Sequence, residues 1–250
     1  MIGIIGGSGL EKPDFLKESE TKKVSTPFGK TAAPIQLGKV EGIPVALVSR
    51  HGFEHEYSPS IVPYQANIWA LKELGVKHVL AASACGSLRE EIKPSDFVIP
   101  TQFIDFTKRR KNTFLDDKGV QAHTPFADPF CAKQNKALLE SIQELGLKGY
   151  ENKTVVTIEG PRFSTRAESN MFRQWGADII NMTTATEASL AKEIGLCYSV
   201  LAMATDFDCW KTDHPPVTYE AVLKIMEQNA RNALKVFQHA IPKIKKTCCK

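Results

Sequence analysis

Residues 197–210 read CYSVLAMATDFDCW, an apolar run that ends in two carboxylates, Asp206 and Asp208. The run from Cys197 to Ala204 predicts a buried β-strand. Side chains two apart on an extended segment point to the same face, so both carboxylates are predicted to enter one site at the end of this strand. Open α/β sheets bind ligands there. A solvated strand end or a helix N-cap is the alternative interpretation of the pair.

Short β-rich runs alternate with helical runs along the 250 residues, which predicts one α/β domain. We predict a domain over residues 1–242 and a basic, flexible C-terminal tail over residues 243–250. Helices are predicted at Tyr64–Leu74, Lys133–Leu145, Ala167–Trp175, Glu187–Ile194 and Tyr219–His239. Strands are predicted at Ile2–Ile5, Val45–Val48, His78–Ala82, Phe97–Ile99, Thr154–Ile158, Ile179–Asn181 and Cys197–Ala204.

The composition indicates a soluble globular protein, because hydrophobic residues make up 42% and charged residues 24% of the chain. No apolar stretch approaches the roughly 20 residues that span a bilayer. The N-terminus lacks the pattern of a signal peptide, so we expect a cytoplasmic protein without membrane partners. The net charge of +4 comes from four lysines after residue 242, and the other 28 basic residues balance 28 acidic ones. This balance argues against a nucleic-acid partner.

The six cysteines form no CxxC pair and no metal-ligand spacing with the histidines. We therefore predict no metal site, and we expect most of the cysteines to be buried free thiols in a reducing compartment. Cys248 and Cys249 are the exception, because vicinal thiols at a chain end can form a disulfide between chains. An inert tail is the alternative.

A glycine-rich turn, Gly6-Gly7-Ser8-Gly9, follows the first predicted strand. Glycines there allow the backbone to approach an anion closely, and Ser8 adds a hydroxyl donor. The turn does not match GxGxxG, which argues against a dinucleotide site. An ordinary glycine turn remains the alternative.

Further anion donors follow other predicted strands. Arg50 can grip a phosphate with two N–H groups, and His51 can donate beside it. Ser83 and Ala84 lie in a run of small residues that offers a hydroxyl and backbone N–H groups, and Thr183 offers another hydroxyl. A surface salt bridge for Arg50 and close packing for the small residues are the alternatives. Convergence of these donors at several strand ends favours a phosphate site.

Two side chains are suited to a nucleoside. Phe163 lies in the loop Glu159–Arg166, between a predicted strand and a helix that Thr165 and Glu168 open with a capping box. Its ring can stack on a base. Met182 can cover the apolar face of a sugar, although methionine more often fills a protein core.

With these segments in order, the chain resembles the trimeric purine nucleoside phosphorylase family, and within it the members that act on 5'-methylthioadenosine. The similarity runs from Gly3 to about Leu234. The blocks that carry it are Gly3–Leu10, Thr26–Gly29, Tyr64–Leu71, Glu159–Glu168, Asn181–Thr183 and Ala204–Asp206.

The resemblance implies a single α/β domain with a mixed central β-sheet flanked by helices. It also implies phosphorolysis of 5'-methylthioadenosine to adenine and 5-methylthioribose 1-phosphate, with inorganic phosphate as a co-substrate and no metal or organic cofactor. Asp206 would donate a proton to N7 of the base, and Asp208 would help to bind the 6-amino group. The pKa of Asp206 is expected to be raised by partial burial and by the charge of Asp208.

The resemblance also implies the rest of the site. In the family the active site lies near a subunit interface of a homotrimer, and a histidine of the neighbouring chain covers the 5' substituent; by position it is His123. Phe163 and Met182 would flank the base and the ribose. The methylthio pocket would be lined by Val217, Tyr219, Val222 and Leu223. Phosphate would be held by Ser8, Arg50, His51, Ser83, Ala84 and Thr183.

Some features depart from the family pattern, and alternatives remain open. Ser8 and Ser83 stand where threonine is frequent, and Tyr219 is bulky for a methylthio pocket. Relatives that act on 6-oxopurine nucleosides, such as inosine or methylthioinosine, favour asparagine at the position of Asp206. A non-catalytic purine or phosphate sensor would need no acid at N7, and a hydrolytic nucleosidase would have little use for the phosphate donors.

Overall fold

The computed structural model of the chain describes residues 1–7, 9–10, 16–115, 123–213 and 219–245, with the backbone alone for residues 219–224. Four residues named above, Ser8, Val217, Cys248 and Cys249, lie outside the described residues. The same holds for the side chains of Tyr219, Val222 and Leu223, so the predicted methylthio pocket stays a prediction.

The described chain folds into eleven strands and five helices. The helices are α1 (Tyr64–Glu73), α2 (Ala132–Glu144), α3 (Arg166–Gln174), α4 (Thr184–Glu193) and α5 (Tyr219–Lys245). The strands are β1 (Ile2–Gly6), β2 (Lys17–Lys22), β3 (Ser25–Thr26), β4 (Gly29–Lys30), β5 (Ile35–Val40), β6 (Ile43–Ser49), β7 (His78–Ser87), β8 (Phe97–Phe106), β9 (Gly149–Ile158), β10 (Ile179–Asn181) and β11 (Cys197–Asp206).

Nine strands form one mixed sheet in the order β10-β9-β8-β11-β7-β1-β6-β5-β2, and β3 pairs with β4 in a separate hairpin. Strand β10 pairs with β9 in parallel and also with the end of β7 in an antiparallel register, Ile180 opposite Gly86. The part of the sheet from β7 to β10 therefore closes on itself. The predicted α/β fold with a mixed central sheet is confirmed.

The described core consists of two large apolar layers, one on each face of the sheet, and a smaller third cluster in which Phe172 of α3 packs against Val156 and Ile180. In β11, Val200 and Ala202 belong to one layer, whereas Leu201 and Met203 belong to the other. Helices α1 and α4 cover the first face, and α2 and α5 cover the second. Because both faces are covered, the central strands are apolar at nearly every position, which explains why the unbroken run at 200–204 marks a central strand.

All seven predicted strands are present, and several are longer than predicted. Strands β2 to β5 were not predicted, because exposed edge strands such as β2 (KESETK) lack an apolar pattern. Helix α4 begins at Thr184, three residues before the predicted start. Helix α5 continues to Lys245, past the predicted domain end at residue 242, and Lys243 makes an ion pair of 2.8 Å with Glu144, whereas the predicted tail over residues 246–250 lies outside the described residues.

The described cysteines, Cys85, Cys131, Cys197 and Cys209, are free thiols. Only Cys85 is buried, so the expectation that most of them are buried is wrong. Cys131 and Cys197 flank helix and strand ends, where side chains are half-covered. Within the described residues, no helix has the length and apolar character that crossing a membrane requires.

Candidate active site

A cavity of about 460 Å³ opens where the segments after β6, β9, β10 and β11 meet the end of β7. The structure brings together nearly every described residue that the sequence predicts for the site. The predicted residues that line the cavity are Arg50, His51, Ser83, Ala84, Phe163, Met182, Thr183, Asp206 and Asp208.

Arg50 lies fully buried at one end of the cavity, so a surface salt bridge is the wrong interpretation of this residue. Its Nε donates to Oε1 of Glu187 at 2.5 Å and its Nη2 to Oε2 at 3.0 Å, while Nη1 donates to the carbonyl of Ala82 at 2.8 Å. A guanidinium has five N–H donors. These contacts use three of them, which leaves one N–H on each terminal nitrogen for a cavity ligand.

Glu187 is the counter-charge that stabilises the buried guanidinium of Arg50. Burial alone would lower the pKa of Arg50, but the Glu187 carboxylate outweighs burial and raises it, so the guanidinium stays charged. The hydroxyl of Tyr198 also donates to Glu187 Oε2 at 2.7 Å. Sequence analysis missed both residues, because a glutamate near a helix start and a tyrosine in a strand carry no signal of this pairing.

The glycine-rich turn packs against the same guanidinium. A Cβ on Gly7 would lie 2.4 Å from Nη1 of Arg50 and 2.9 Å from the carbonyl oxygen of Ala82. Only glycine permits this approach. The turn after β1 is thus brought to the cationic end of the cavity, as the sequence predicts for an anion site.

His51 faces the cavity as a neutral ring. Burial, followed by the charge of Arg50, lowers its pKa from 6.5 to about 3. Nδ1 lies 2.8 Å from the carbonyl oxygen of Tyr57, so Nδ1 carries the ring proton and Nε2 is an acceptor. That His51 takes part in phosphate binding stays a prediction, and with Nδ1 protonated its free nitrogen accepts a hydrogen bond. A protonated phosphate oxygen can donate to Nε2. The ring of His55 stacks on His51 with centroids 4.4 Å apart.

Two buried hydroxyls complete the anion-binding end. Asn181 Nδ2 donates to Ser83 Oγ at 3.1 Å, and Ser83 Oγ donates to the carbonyl oxygen of Ala84 at 3.1 Å, so the hydroxyl has to turn from this carbonyl to donate to a ligand. Thr183 precedes α4 as its N-cap residue, and its buried Oγ1 has no hydrogen-bond partner among the residues that the structure describes. A buried hydroxyl without a partner costs about 1–3 kcal/mol. An acceptor bound beside Arg50 would satisfy it and would lie near the positive end of the α4 dipole.

The two carboxylates lie at the other side of the cavity, for a reason that differs from the predicted one. Asp206 is the last residue of β11, beyond a register shift in the β7 pairing. Asp208 follows in a turn with a φ of 50°. Its N–H donates to Oδ1 of Asp206 at 2.7 Å, so this turn, and not strand alternation, brings the pair together. Neither carboxylate caps a helix.

Both carboxyl groups bind protons more readily than ordinary aspartates do. Burial raises the pKa of Asp206, and the charge of Asp208 adds to the rise. Burial also raises the pKa of Asp208, although Ser164 donates to it at 2.8 Å and opposes the shift. Thr205 Oγ1 lies 2.6 Å from Oδ2 of Asp206 and 3.2 Å from the carbonyl of Cys85. The hydroxyl can turn to either, so it accommodates Asp206 with or without a proton.

The remaining wall is apolar. Phe163 is 45% exposed at the cavity edge, and Met182 packs beside Gly160, where a Cβ would lie 2.5 Å from the Met182 sulfur. His123 is exposed and does not line the cavity of its own chain. Sequence analysis missed the lining residues of the turn after β6, because nothing in a single sequence marks this turn: His55, Glu56, Ser58 and Pro59.

The arrangement defines a class of protein. The cavity holds a cation and hydroxyl donors for an anion, an apolar wall, and a proton-binding carboxyl pair, and the model of the phosphorylase superfamily matches residues 1–242. The chain belongs to the phosphorylase superfamily. Among the described residues, no group of three or more His, Cys, Asp and Glu is arranged to hold a metal ion.

Relatives within this superfamily share a specific name. S-methyl-5'-thioadenosine phosphorylase of Danio rerio is 53% identical to the chain, over 97% of it and 88% of the relative. The protein of that name in Pyrococcus furiosus is 50% identical, over 97% and 92%. A methylthioadenosine phosphorylase crystal structure from an antarctic soil metagenomic library has a TM-score of 0.94 and 43% identity, over 100% and 88%. The Schistosoma mansoni enzyme in complex with adenine has a TM-score of 0.94 and 39% identity, over 99% and 92%.

The substitution Glu187→Gln tests the buried pair. We expect it to lower the free energy of unfolding by about 3–5 kcal/mol, because Arg50 is left without a counter-charge. Urea unfolding measures this change. Glu140→Gln is the control, since Glu140 is 45% exposed and its ion pair with Lys136 is long, at 4.0 Å. Equal effects of the two substitutions would contradict the role of Glu187.

The neutral state of His51 predicts a pH dependence of stability. The unfolded state takes up a proton near pH 6.5, but the folded state does so only near pH 3, so stability is lost as the pH falls below 6.5. Between pH 7 and pH 5 we expect the wild type to lose about 2 kcal/mol more of its free energy of unfolding than His51→Asn does. Urea unfolding at both pH values measures the difference, and equal losses would contradict it.

Proposed function

We propose that the protein catalyses the phosphorolysis of 5'-methylthioadenosine to adenine and 5-methylthioribose 1-phosphate. The observation that carries the proposal is the cavity itself, which is lined both by Arg50 and Thr183, whose hydroxyl has no hydrogen-bond partner among the described residues, and by Asp206 and Asp208. Relatives about half identical to the chain are named for this reaction. Structures of the Schistosoma mansoni relative contain adenine, and one variant of it contains methylthioadenosine.

The phosphate end supplies the nucleophile. The free N–H groups of Arg50 and the hydroxyls of Ser83 and Thr183 would bind phosphate oxygens, together with Ser8 and the backbone at Ala84. The neutral His51 selects a phosphate with a hydroxyl group, because its free nitrogen accepts a hydrogen bond and does not donate one. This leaves an unprotonated phosphate oxygen to attack C1' of the ribose.

The carboxyl end supplies the acid. As the bond between C1' and N9 breaks, its electron pair moves to the purine and positive charge develops on the ribose. A proton passes from Asp206 to N7, which neutralises the leaving base, while the bound phosphate faces C1' and forms the new C–O bond. Asp208 accepts a hydrogen bond from the 6-amino group. Burial raises the pKa of Asp206, so a fraction of it can carry this proton in the free enzyme.

Every atom of the reaction is provided by the two substrates and these side chains, so we propose that no metal or organic cofactor takes part. Phe163 and Met182 would hold base and ribose from the apolar wall. The methylthio group would lie against Val217, Tyr219, Val222 and Leu223. We further propose a homotrimer, in which the exposed His123 covers the 5' substituent in the site of a neighbouring chain. The free thiols favour a reducing, cytoplasmic setting.

The proposed reaction depends on phosphate as a co-substrate. We expect adenine release from 5'-methylthioadenosine only when phosphate is present, because the cavity binds an anion as the nucleophile. Adenine release is followed with and without phosphate, and inosine is the parallel substrate. Phosphate-independent release would indicate a hydrolase, preference for inosine would indicate a 6-oxopurine nucleoside phosphorylase, and binding without cleavage would indicate a sensor.

In the proposed reaction, Asp206 determines which purine base is cleaved. We expect Asp206→Asn to lower kcat/KM for 5'-methylthioadenosine by about 100-fold, since an amide cannot protonate N7. The same substitution should improve cleavage of 6-oxopurine nucleosides, because its NH2 group can donate to both N7 and the carbonyl at C6. Ratios of kcat/KM for the two substrate classes measure the change. An unchanged preference would contradict the assignment of Asp206.

A further inference from the structure

Arg110 is a buried cation beside the active site that the reaction described above does not use. It lies four residues after β8, and its side chain is only 2% exposed. Neither β8 nor the segment around Arg110 lines the cavity. We infer that Arg110 is a positioning residue, which holds together three segments of the active-site wall and thereby sets the affinity for the nucleoside. This inference rests on the proposed function.

Two of these segments are held directly. Arg110 Nη2 donates to the carbonyl oxygen of Glu159 at 2.6 Å and to that of Met182 at 3.1 Å. Glu159 precedes the loop that carries Phe163, and Met182 follows β10 immediately before Thr183. Arg110 Nη2 thus connects the segment of Phe163, which is proposed to contact the base, to the segment of Met182 and Thr183, which is proposed to contact ribose and phosphate.

The third segment is held through Tyr64. Arg110 Nη1 donates to the Tyr64 hydroxyl at 2.7 Å, and this hydroxyl donates to the carbonyl oxygen of Pro59 at 2.8 Å. Pro59 lines the cavity in the turn after β6. Ser60 strengthens the junction, because its Oγ lies 3.2 Å from the carbonyl of Glu159. The loops after β9 and β10 leave two paired strands, with Asn181 opposite Thr157. The turn after β6, in contrast, follows a strand that pairs with neither, so the contacts through Tyr64 and Ser60 are what join this turn to the other two loops.

The side chain of Glu159 orients the guanidinium itself. Its Oε1 accepts from Arg110 Nε at 3.0 Å, and its Oε2 accepts from the backbone N–H of Lys108 at 2.8 Å. Arg110 therefore uses Nε and both terminal nitrogens in a planar fork that a lysine ammonium cannot reproduce. Separating a buried carbonyl oxygen from a charged hydrogen-bond donor costs free energy. This cost explains why the Arg110 guanidinium stays buried here.

The test uses the intact enzyme with Arg110→Lys, Arg110→Ala and the matched control Arg109→Ala. Arg109 is the exposed neighbour whose backbone N–H, retained in the variant, contacts Glu159. We expect Arg110→Lys to raise KM for 5'-methylthioadenosine by about tenfold while kcat changes less than about threefold. Guanidinium ion added at millimolar concentration should restore affinity in Arg110→Ala, because it can occupy the vacated fork. Arg109→Ala should match the wild type.

Thermal unfolding accompanies each measurement, so that a loss of fold is recognised. If Arg110→Ala does not fold, Tyr64→Phe removes the hydrogen bonds from Arg110 to Tyr64 and from Tyr64 to Pro59, leaves those of Arg110 to Glu159 and Met182, and should raise the same KM by about threefold. An unchanged KM in Arg110→Lys or in Tyr64→Phe would overturn the inference, as would a fall in stability without guanidinium rescue. A wild-type protein that cleaves no 5'-methylthioadenosine would contradict the proposed function instead. The dissociation constant for phosphate would then be measured for the wild type and for Arg110→Lys. Equal values would overturn the positioning role of Arg110.

Discussion

The buried pair of Arg50 and Glu187 is the interaction on which the site depends. It joins the end of β6 to α4 across the sheet, and Tyr198 in β11 completes it. A cation cannot be kept in an apolar interior without such a partner, because desolvation would otherwise unfold the region or remove the charge. Since Glu187 takes only part of the donor capacity of Arg50, the pair stabilises the charge and leaves it able to bind a ligand.

A second constraint is the closure of the sheet. Strand β10 pairs with the end of β7, Ile179 opposite Ser87, although the two are distant in sequence. This pairing brings the residues after β10 to the small side chains near the end of β7, where Asn181 donates to Ser83. Strands that run in opposite directions thereby contribute their carboxyl ends to one cavity, which a flat sheet would not allow.

The electrostatics of the cavity are divided between its two ends. A permanent cation and neutral donors occupy one end, and two carboxyl groups with raised pKa values occupy the other. Burial raises the pKa of the two carboxyl groups, whereas Glu187 keeps Arg50 charged against the effect of burial. Burial also keeps the His51 ring neutral beside Arg50, so that it acts as an acceptor. The site can thus bind an anion and donate a proton within a single cavity.

The sequence by itself determined the order of seven strands and five helices and nine of the 21 residues that line the cavity, because apolar runs with polar ends mark buried strands and the functional groups follow those ends. It did not determine how Asp206 and Asp208 converge, since the bulge and the turn at Asp208 depend on packing against β7. Nor did it identify Glu187, Tyr198 or the protonation of His51. Only the tertiary structure decided these features, because they arise from groups far apart in sequence that share one desolvated space.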